Sequence, residues 1–149
     1  MKRETLKPAY LPTLRELVRC NQAFERFSAQ HTRELGLPPA QFDVIATLGN
    51  TPGMSCRELG EKTLITKGTL TGVLDRLVAR GLITRGEDRD DARRVFIALT
   101  PEGERVFEAT FLRHLAYCER AFGTLPSPQL KRMQDDLSEL RAAFEKELR

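Results

Sequence analysis

The chain has 149 residues, 40% hydrophobic and 30% charged, with a formal net charge of +3. This suits one domain, or one compact domain with extensions, and excludes a disordered chain. No apolar run approaches the ~20 residues of a membrane span, and so small a net charge requires any basic nucleic-acid surface to be local.

The N-terminus, MKRETLKPAYLPTL, has no apolar stretch of the kind that secretory signals carry, so the cytoplasm is the expected compartment. Leu14, Leu17, Val18, Asn21, Phe24, Ser28, His31 and Leu35 then fall on one stripe of a long helix that ends at Gly36-Leu37-Pro38-Pro39. A shorter helix follows with Phe42, Ile45 and Leu48 inward, and stops at GNTPG. Ser55-Cys56-Arg57-Glu58 fits a capping box, in which Ser55 takes a first-turn amide and Glu58 reaches back. After this brief helix TLIT makes a turn, and Thr66 is the expected N-cap of the next one.

That next helix, TKGTLTGVLDRL, raises a question. Leu70, Val73, Leu74, Leu77 and Val78 form an apolar stripe at helical spacing. The opposite side carries Gly68, Thr69, Gly72 and Ala79, with Arg76 and Arg80 along one edge. Two glycines in an exposed helix interior cost roughly 1 kcal/mol each against alanine. A helix gives up that stability when bulky side chains on its outer face would obstruct something.

Beyond Gly81 the period changes. LITR and VFIALT read as two strands, separated by GEDRDDARR, nine residues with seven charges. Thr100-Pro101-Glu102 starts another helix, with proline at its first position. Val106 to Phe122 is helical, and after GTLPSP a last helix carries Leu130, Met133, Leu137, Leu140, Phe144 and Leu148 at near coiled-coil spacing. The expected order is α-α-α-α-β-β-α-α. The fold class is mainly α with a small β-hairpin wing.

A short capped helix, a turn, a longer helix and a charged hairpin make a winged helix-turn-helix, whose second helix enters the DNA major groove. This answers the glycine question. Gly68 and Gly72 let backbone approach DNA, while Thr66, Lys67, Thr69 and Thr71 offer donors to phosphates and base edges. A Gly/Thr-rich face also suits packing against another protein helix. The hairpin exceeds the length that merely reverses a chain and is suited to place an arginine in the minor groove. Its acidic residues Glu87, Asp88, Asp90 and Asp91 would repel phosphate, so some are expected to orient arginines. Glu87 and Asp88 are expected at a solvated surface.

The stretch from Leu37 to Gly103 resembles the MarR/SlyA family of bacterial transcriptional regulators. The resemblance is carried by KGTLTGVLDRLVARGLITR and by Asp91, Arg93, Val95, Ile97, Leu99, Thr100 and Gly103 in the D-x-R and V-x-I-x-L-T-x-x-G patterns. It implies a winged-helix homodimer that binds a palindromic operator in double-stranded DNA, often as a repressor released by small phenolic or lipophilic effectors. It also implies residues 1–36 as an N-terminal dimerisation helix, 37–100 as the DNA-binding domain and 101–149 as C-terminal dimerisation helices. Arg93 becomes the minor-groove arginine and Asp91 the carboxylate that braces the wing. Arg76 joins the recognition-helix residues, among which Lys67 and Thr69 lead. Ser55 and Arg57 start the preceding helix, whose amides suit a phosphate. Leu14, Leu17, Leu137, Leu140 and Phe144 are the expected dimerisation residues.

Cys20, Cys56 and Cys118 are an odd number with no C-x-x-C or His/Cys cluster, so neither a disulfide framework nor a metal site is expected, and no cofactor. Some members of the family sense peroxides through a cysteine near the start of the first helix, with tyrosines in support. Cys20 lies nearer to Gln41-Phe42 than that pattern requires, and Tyr10 and Tyr117 are the only tyrosines. Cys56, at the first turn of a capped helix, is where a thiolate is favoured; for all three, a small buried residue is the simpler expectation. His31 and His114 are candidates for an effector pocket, with ordinary core or surface histidines as the alternative. No nucleophile–His–carboxylate set or phosphate loop is visible, so no enzyme is expected. The competing function is a winged-helix module that docks on protein instead of DNA.

Overall fold

The computed structural model describes residues 7–148, so the first six residues of the proposed 1–36 segment lie outside the described residues. Six helices and a small sheet follow one another as α1 (Leu11–Glu34), α2 (Pro39–Leu48), β1 (Met54–Ser55), α3 (Cys56–Lys62), α4 (Lys67–Ala79), β2 (Ile83–Glu87), β3 (Val95–Leu99), α5 (Pro101–Phe122) and α6 (Ser127–Glu147). The winged helix-turn-helix expected from the sequence is present. By compactness the chain divides into two units, Met1–Phe111 and Leu112–Arg149.

The first unit is built around one apolar core. Val44 and Ile45 of α2, Leu59 of α3, Leu77 of α4 and Ile97 of β3 are all fully buried. Each such aliphatic side chain contributes on the order of 1.5–3 kcal/mol when withdrawn from water. On α4 the inner stripe is Leu70, Val73, Leu74 and Leu77. Val78 is 38% exposed, although the spacing had placed it inward. The helix turns by ~100° per residue, which puts Val78 at the margin of the apolar sector.

The sheet is antiparallel in the order β1-β3-β2. Pairing of Ile83 with Leu99 through Glu87 with Val95 extends the hairpin beyond LITR, leaving residues 88–94 as the connection. The third strand was not expected. Met54 and Ser55 pair with Ile97 and Phe96, but two residues are too few to display a period of two.

Two glycines fix how α4 leads to the wing and onward. Gly81 adopts φ +72°, and Leu82 N–H donates to Leu77 O at 3.0 Å while Gly81 N–H donates to Val78 O at 2.9 Å. This is a Schellman end, with glycine in the left-handed position. Gly103 serves by smallness, since a Cβ there would collide with the Leu82 carbonyl. Beside it Thr100 caps α5: Gly103 N–H donates to Thr100 Oγ1 at 3.0 Å, and Thr100 Oγ1 donates to Gly81 O at 2.6 Å. The L-T-x-x-G pattern is therefore a joint between α4's exit, β3 and α5.

The second unit is of another kind. No residue of α6 is buried, and Leu137 and Phe144 are 53% and 55% exposed. Its ion pairs run along the helix itself, as in Lys131–Asp135 at 2.9 Å. Among the described residues no helix is long and apolar enough to cross a membrane.

Candidate nucleic-acid interface

The outer face of α4 is open. Lys67, Thr69, Thr71 and Arg76 are exposed and Gly72 is half-buried. A Cβ on Gly68 would meet nothing within 4 Å, and one on Gly72 would meet only the Arg76 guanidinium, at 4.0 Å. The glycines thus admit no other part of this chain. Thr66 holds the N-cap position, with φ −66° and ψ 149°, yet its hydroxyl caps no amide. It donates instead to Thr69 Oγ1 at 3.1 Å, which links two exposed hydroxyls across the first turn. The sequence's N-cap position is right, but the hydroxyl's expected use is not.

The start of α3 carries half of the expected capping box. Glu58 N–H donates to Ser55 Oγ at 3.1 Å, whereas the Glu58 carboxylate pairs with Lys62 at 3.1 Å, one turn on. Forward i,i+4 pairing of Glu with Lys is favourable on a helix surface and competes with the reach back. Arg57 is exposed and lies 3.5 Å from Glu61. An open cleft of about 660 Å³ is lined by Ser55, Arg57, Glu58, Glu61, Arg93 and Arg94 among others, so the start of α3 and the wing share one concave surface. Three candidate contacts, Ser55, Arg57 and Arg93, thereby come together.

Within the wing Asp91 acts on the residues that follow it. Its Oδ1 accepts from Arg93 N–H at 3.0 Å and lies 3.4 Å from Arg93 Nε, and Oδ2 lies 3.7 Å from Arg94 Nε. Arg93 remains 93% exposed at its side chain, so the brace directs the guanidinium without covering it. Such exposed pairs contribute little stability, about 0–1 kcal/mol, and their effect here is geometric. Asp88 departs from expectation: it is half-buried, and its Oδ1 accepts from Asp90 N–H at 2.9 Å, closing the loop as an Asx turn. Glu87 is exposed.

Some positioning contacts were invisible in the sequence. Asp75 on α4 and Arg85 on β2 form an ion pair at 2.6 Å that ties recognition helix to wing. Arg80, read as an outer-edge residue beside Arg76, is engaged inward: it donates to Gln41 Oε1 at 2.7 Å and to Gly36 O at 3.3 Å. Asp43 Oδ2 accepts from Leu64 N–H at 2.8 Å, and burial pushes the Asp43 carboxyl above its ordinary range against that bond and one from Thr47. The Asp75–Arg85, Arg80–Gln41, Arg80–Gly36 and Asp43–Leu64 contacts join residues ten or more apart in sequence, so no local pattern announces them.

The remaining candidates scatter. Leu14, Leu137 and Phe144 are exposed, while Leu17 and Leu140 are half-buried. His31 is half-buried on α1, in the first unit. His114 is buried in the second, stacked on Tyr117 with ring centroids 6.1 Å apart, and its Nε2 lies 3.6 Å from Cys118 Sγ. Burial pushes the Cys118 thiol up. Cys56 is half-buried and packs against the core, but Cys20 is exposed, against the expectation of three buried thiols. Its chain neighbours Arg19 and Asn21 are exposed as well.

Comparison with known proteins agrees with this geometry. The MarR family profile matches residues 35–94. The transcriptional regulator HosA of Escherichia coli is 38% identical over 89 residues, which cover 59% of this chain and 66% of HosA, just under two thirds of that protein. Among solved structures, Bordetella bronchiseptica BpsR, described for the regulation of its DNA binding by 6-hydroxynicotinic acid, is 25% identical with a TM-score of 0.79, covering 91% of this chain and 96% of BpsR. A mutant of E. coli MarR complexed with operator DNA shares the fold, at 23% identity and a TM-score of 0.76, covering 90% of this chain and 99% of that one. The profile match coincides with the segment from the end of α1 through the wing arginines, where the geometry is also that of a winged helix. Residues 35–94 thus match the MarR family profile, and the chain has the winged helix-turn-helix fold of the similar solved structures.

Proposed function

We propose that the protein is a dimeric, sequence-specific DNA-binding repressor that acts at a palindromic operator and is released by a small lipophilic or phenolic effector. One observation carries the reading. The outer face of α4 is lined by small and hydroxyl-bearing residues with open space around both glycines, and it belongs to the same compact unit as an arginine-tipped wing. Thr66, Lys67, Gly68, Thr69, Thr71, Gly72 and Arg76 face the major groove, with Lys67 and Thr69 first for base contact. Ser55 and Arg57 take backbone phosphate, and Arg93, braced by Asp91, enters the minor groove. Residues 1–36 and 101–149 dimerise, through Leu14, Leu17, Leu137, Leu140 and Phe144 among others, and 37–100 bind DNA. That a relative's DNA binding is regulated by 6-hydroxynicotinic acid supports a small aromatic effector here.

The test is a salt titration of binding to duplexes from upstream of the protein's own gene and to random duplex. Arg93→Ala should weaken both and lower the slope of log K against log[salt] by ~0.9 per arginine, roughly 1.8 per dimer. A variant that keeps the wild-type slope and affinity would remove the wing from the interface. Absence of any salt-dependent DNA binding by the wild type would favour a protein-docking module.

A further inference from the structure

The recognition helix is held at both ends by one neighbouring helix, and the holding groups are polar. At the C-terminal end, the Arg80 guanidinium donates to Gln41 Oε1 at 2.7 Å and to Gly36 O at 3.3 Å. Gln41 is 6% exposed, so this is a buried acceptor satisfied by a charged donor. At the N-terminal end, Asp43 Oδ2 accepts from Leu64 N–H at 2.8 Å, two residues before the Thr66 N-cap. Leu64 itself is 89% exposed, so its own side chain does not hold this amide; Ile65 packs against the core and the hydrogen bond adds a directional constraint. Gln41 and Asp43 stand two residues apart on α2.

The apolar stripe of α4 cannot do the same work alone. Dispersion and burial are non-directional, and they resist separation of α4 from the core more strongly than a small rotation or slide along it. Three hydrogen bonds of defined direction, two beyond the C-terminal end and one beyond the N-terminal end of a 13-residue helix, remove those freedoms. Base readout requires donors placed to within a fraction of an ångström, whereas contacts to phosphate tolerate small displacements.

We infer that Gln41 and Asp43 are positioning residues for sequence readout: through Arg80 and the Leu64 amide they set the register of α4 in the major groove without touching DNA. This rests on the DNA-binding reading above. It also gives the α1–α2 corner, through Gly36 O, a direct polar connection to the recognition helix.

The experiment measures the affinities of full-length protein for its own upstream operator and for random duplex, across a salt series, at a temperature where melting curves show every variant folded. Salt-dependent operator binding by the wild type tests the DNA-binding reading by itself. Asp43→Ala and Gln41→Met should each lower operator affinity about tenfold, the scale of one hydrogen bond to a charged group. Random-duplex affinity should stay within about twofold, with the salt slope unchanged. Asp43→Asn, which retains an acceptor, should restore operator affinity, a rescue that a general loss of stability would not produce. Amide exchange adds a local readout, since protection of Leu64 N–H should fall in Asp43→Ala and return in Asp43→Asn. If Gln41→Met does not fold, Arg80→Ala breaks the same bond from its exposed side. Equal weakening on both duplexes, wild-type operator affinity in the disrupted variants, or failure of Asp43→Asn to rescue would overturn the inference.

Discussion

The outer face of α4 and the apolar face of α6 are both left open within their own units, and they are open in opposite ways. On α4 the exposed positions are glycine, threonine, lysine and arginine, with free space where a Cβ would go. On α6 they are Met133, Leu137 and Phe144. The first face gives up helix propensity, roughly 1 kcal/mol per glycine, to stay small and polar. The second leaves large apolar area in water at about 25 cal/mol per Å². Exposure alone therefore says little. The chemistry of the exposed residues says what each face suits: a hydrated, charged polymer for α4, and another apolar surface for α6.

The largest expected effect comes from breaking the apolar side. Leu137→Glu with Leu140→Glu would place four carboxylates across the proposed two-fold interface. Sedimentation should show monomers, and operator binding should be abolished because half-sites are no longer linked. A double mutant that stays dimeric would show that α6 does not supply that surface.

The second effect attacks the polar side. Gly72→Glu adds bulk and negative charge where the structure leaves space, beside Arg76. Folding stability should change by under ~1 kcal/mol, in the favourable direction by helix propensity, while operator affinity is lost. Unchanged affinity would mean that this face points elsewhere.

The smallest effect separates two threonines, Thr63 and Thr69. Thr63 Oγ1 is buried and without a hydrogen-bond partner, whereas Thr69 is exposed on α4 and accepts from Thr66. Thr63→Val should raise stability by about 1 kcal/mol, by removing an unsatisfied polar group, with operator affinity unchanged. Thr69→Val should do the reverse, losing operator affinity at nearly constant melting temperature. Destabilisation by Thr63→Val would indicate that the hydroxyl finds a partner in solution.

Periodicity and punctuation alone determined six helices, the hairpin and the sidedness of α4. These are properties of contiguous residues: apolar spacing at 3.6, prolines at helix starts, and a glycine where α4 must end in the left-handed region. The same reasoning found the glycine-bearing face and the wing, because a cost taken locally without a local return marks a surface meant for something else. It missed β1, too short to carry a period, and it misjudged Val78, Asp88 and Cys20, whose burial depends on where neighbouring elements lie. Only the tertiary structure decided that Arg80 turns inward to Gln41, that Asp43 holds the amide of Leu64, and that Asp75 pairs with Arg85. Such contacts join residues far apart in sequence, and a charged side chain reads the same on the page whether it meets water or a partner. Direction in space, not residue type, distinguishes them, and direction is fixed only when the core has packed.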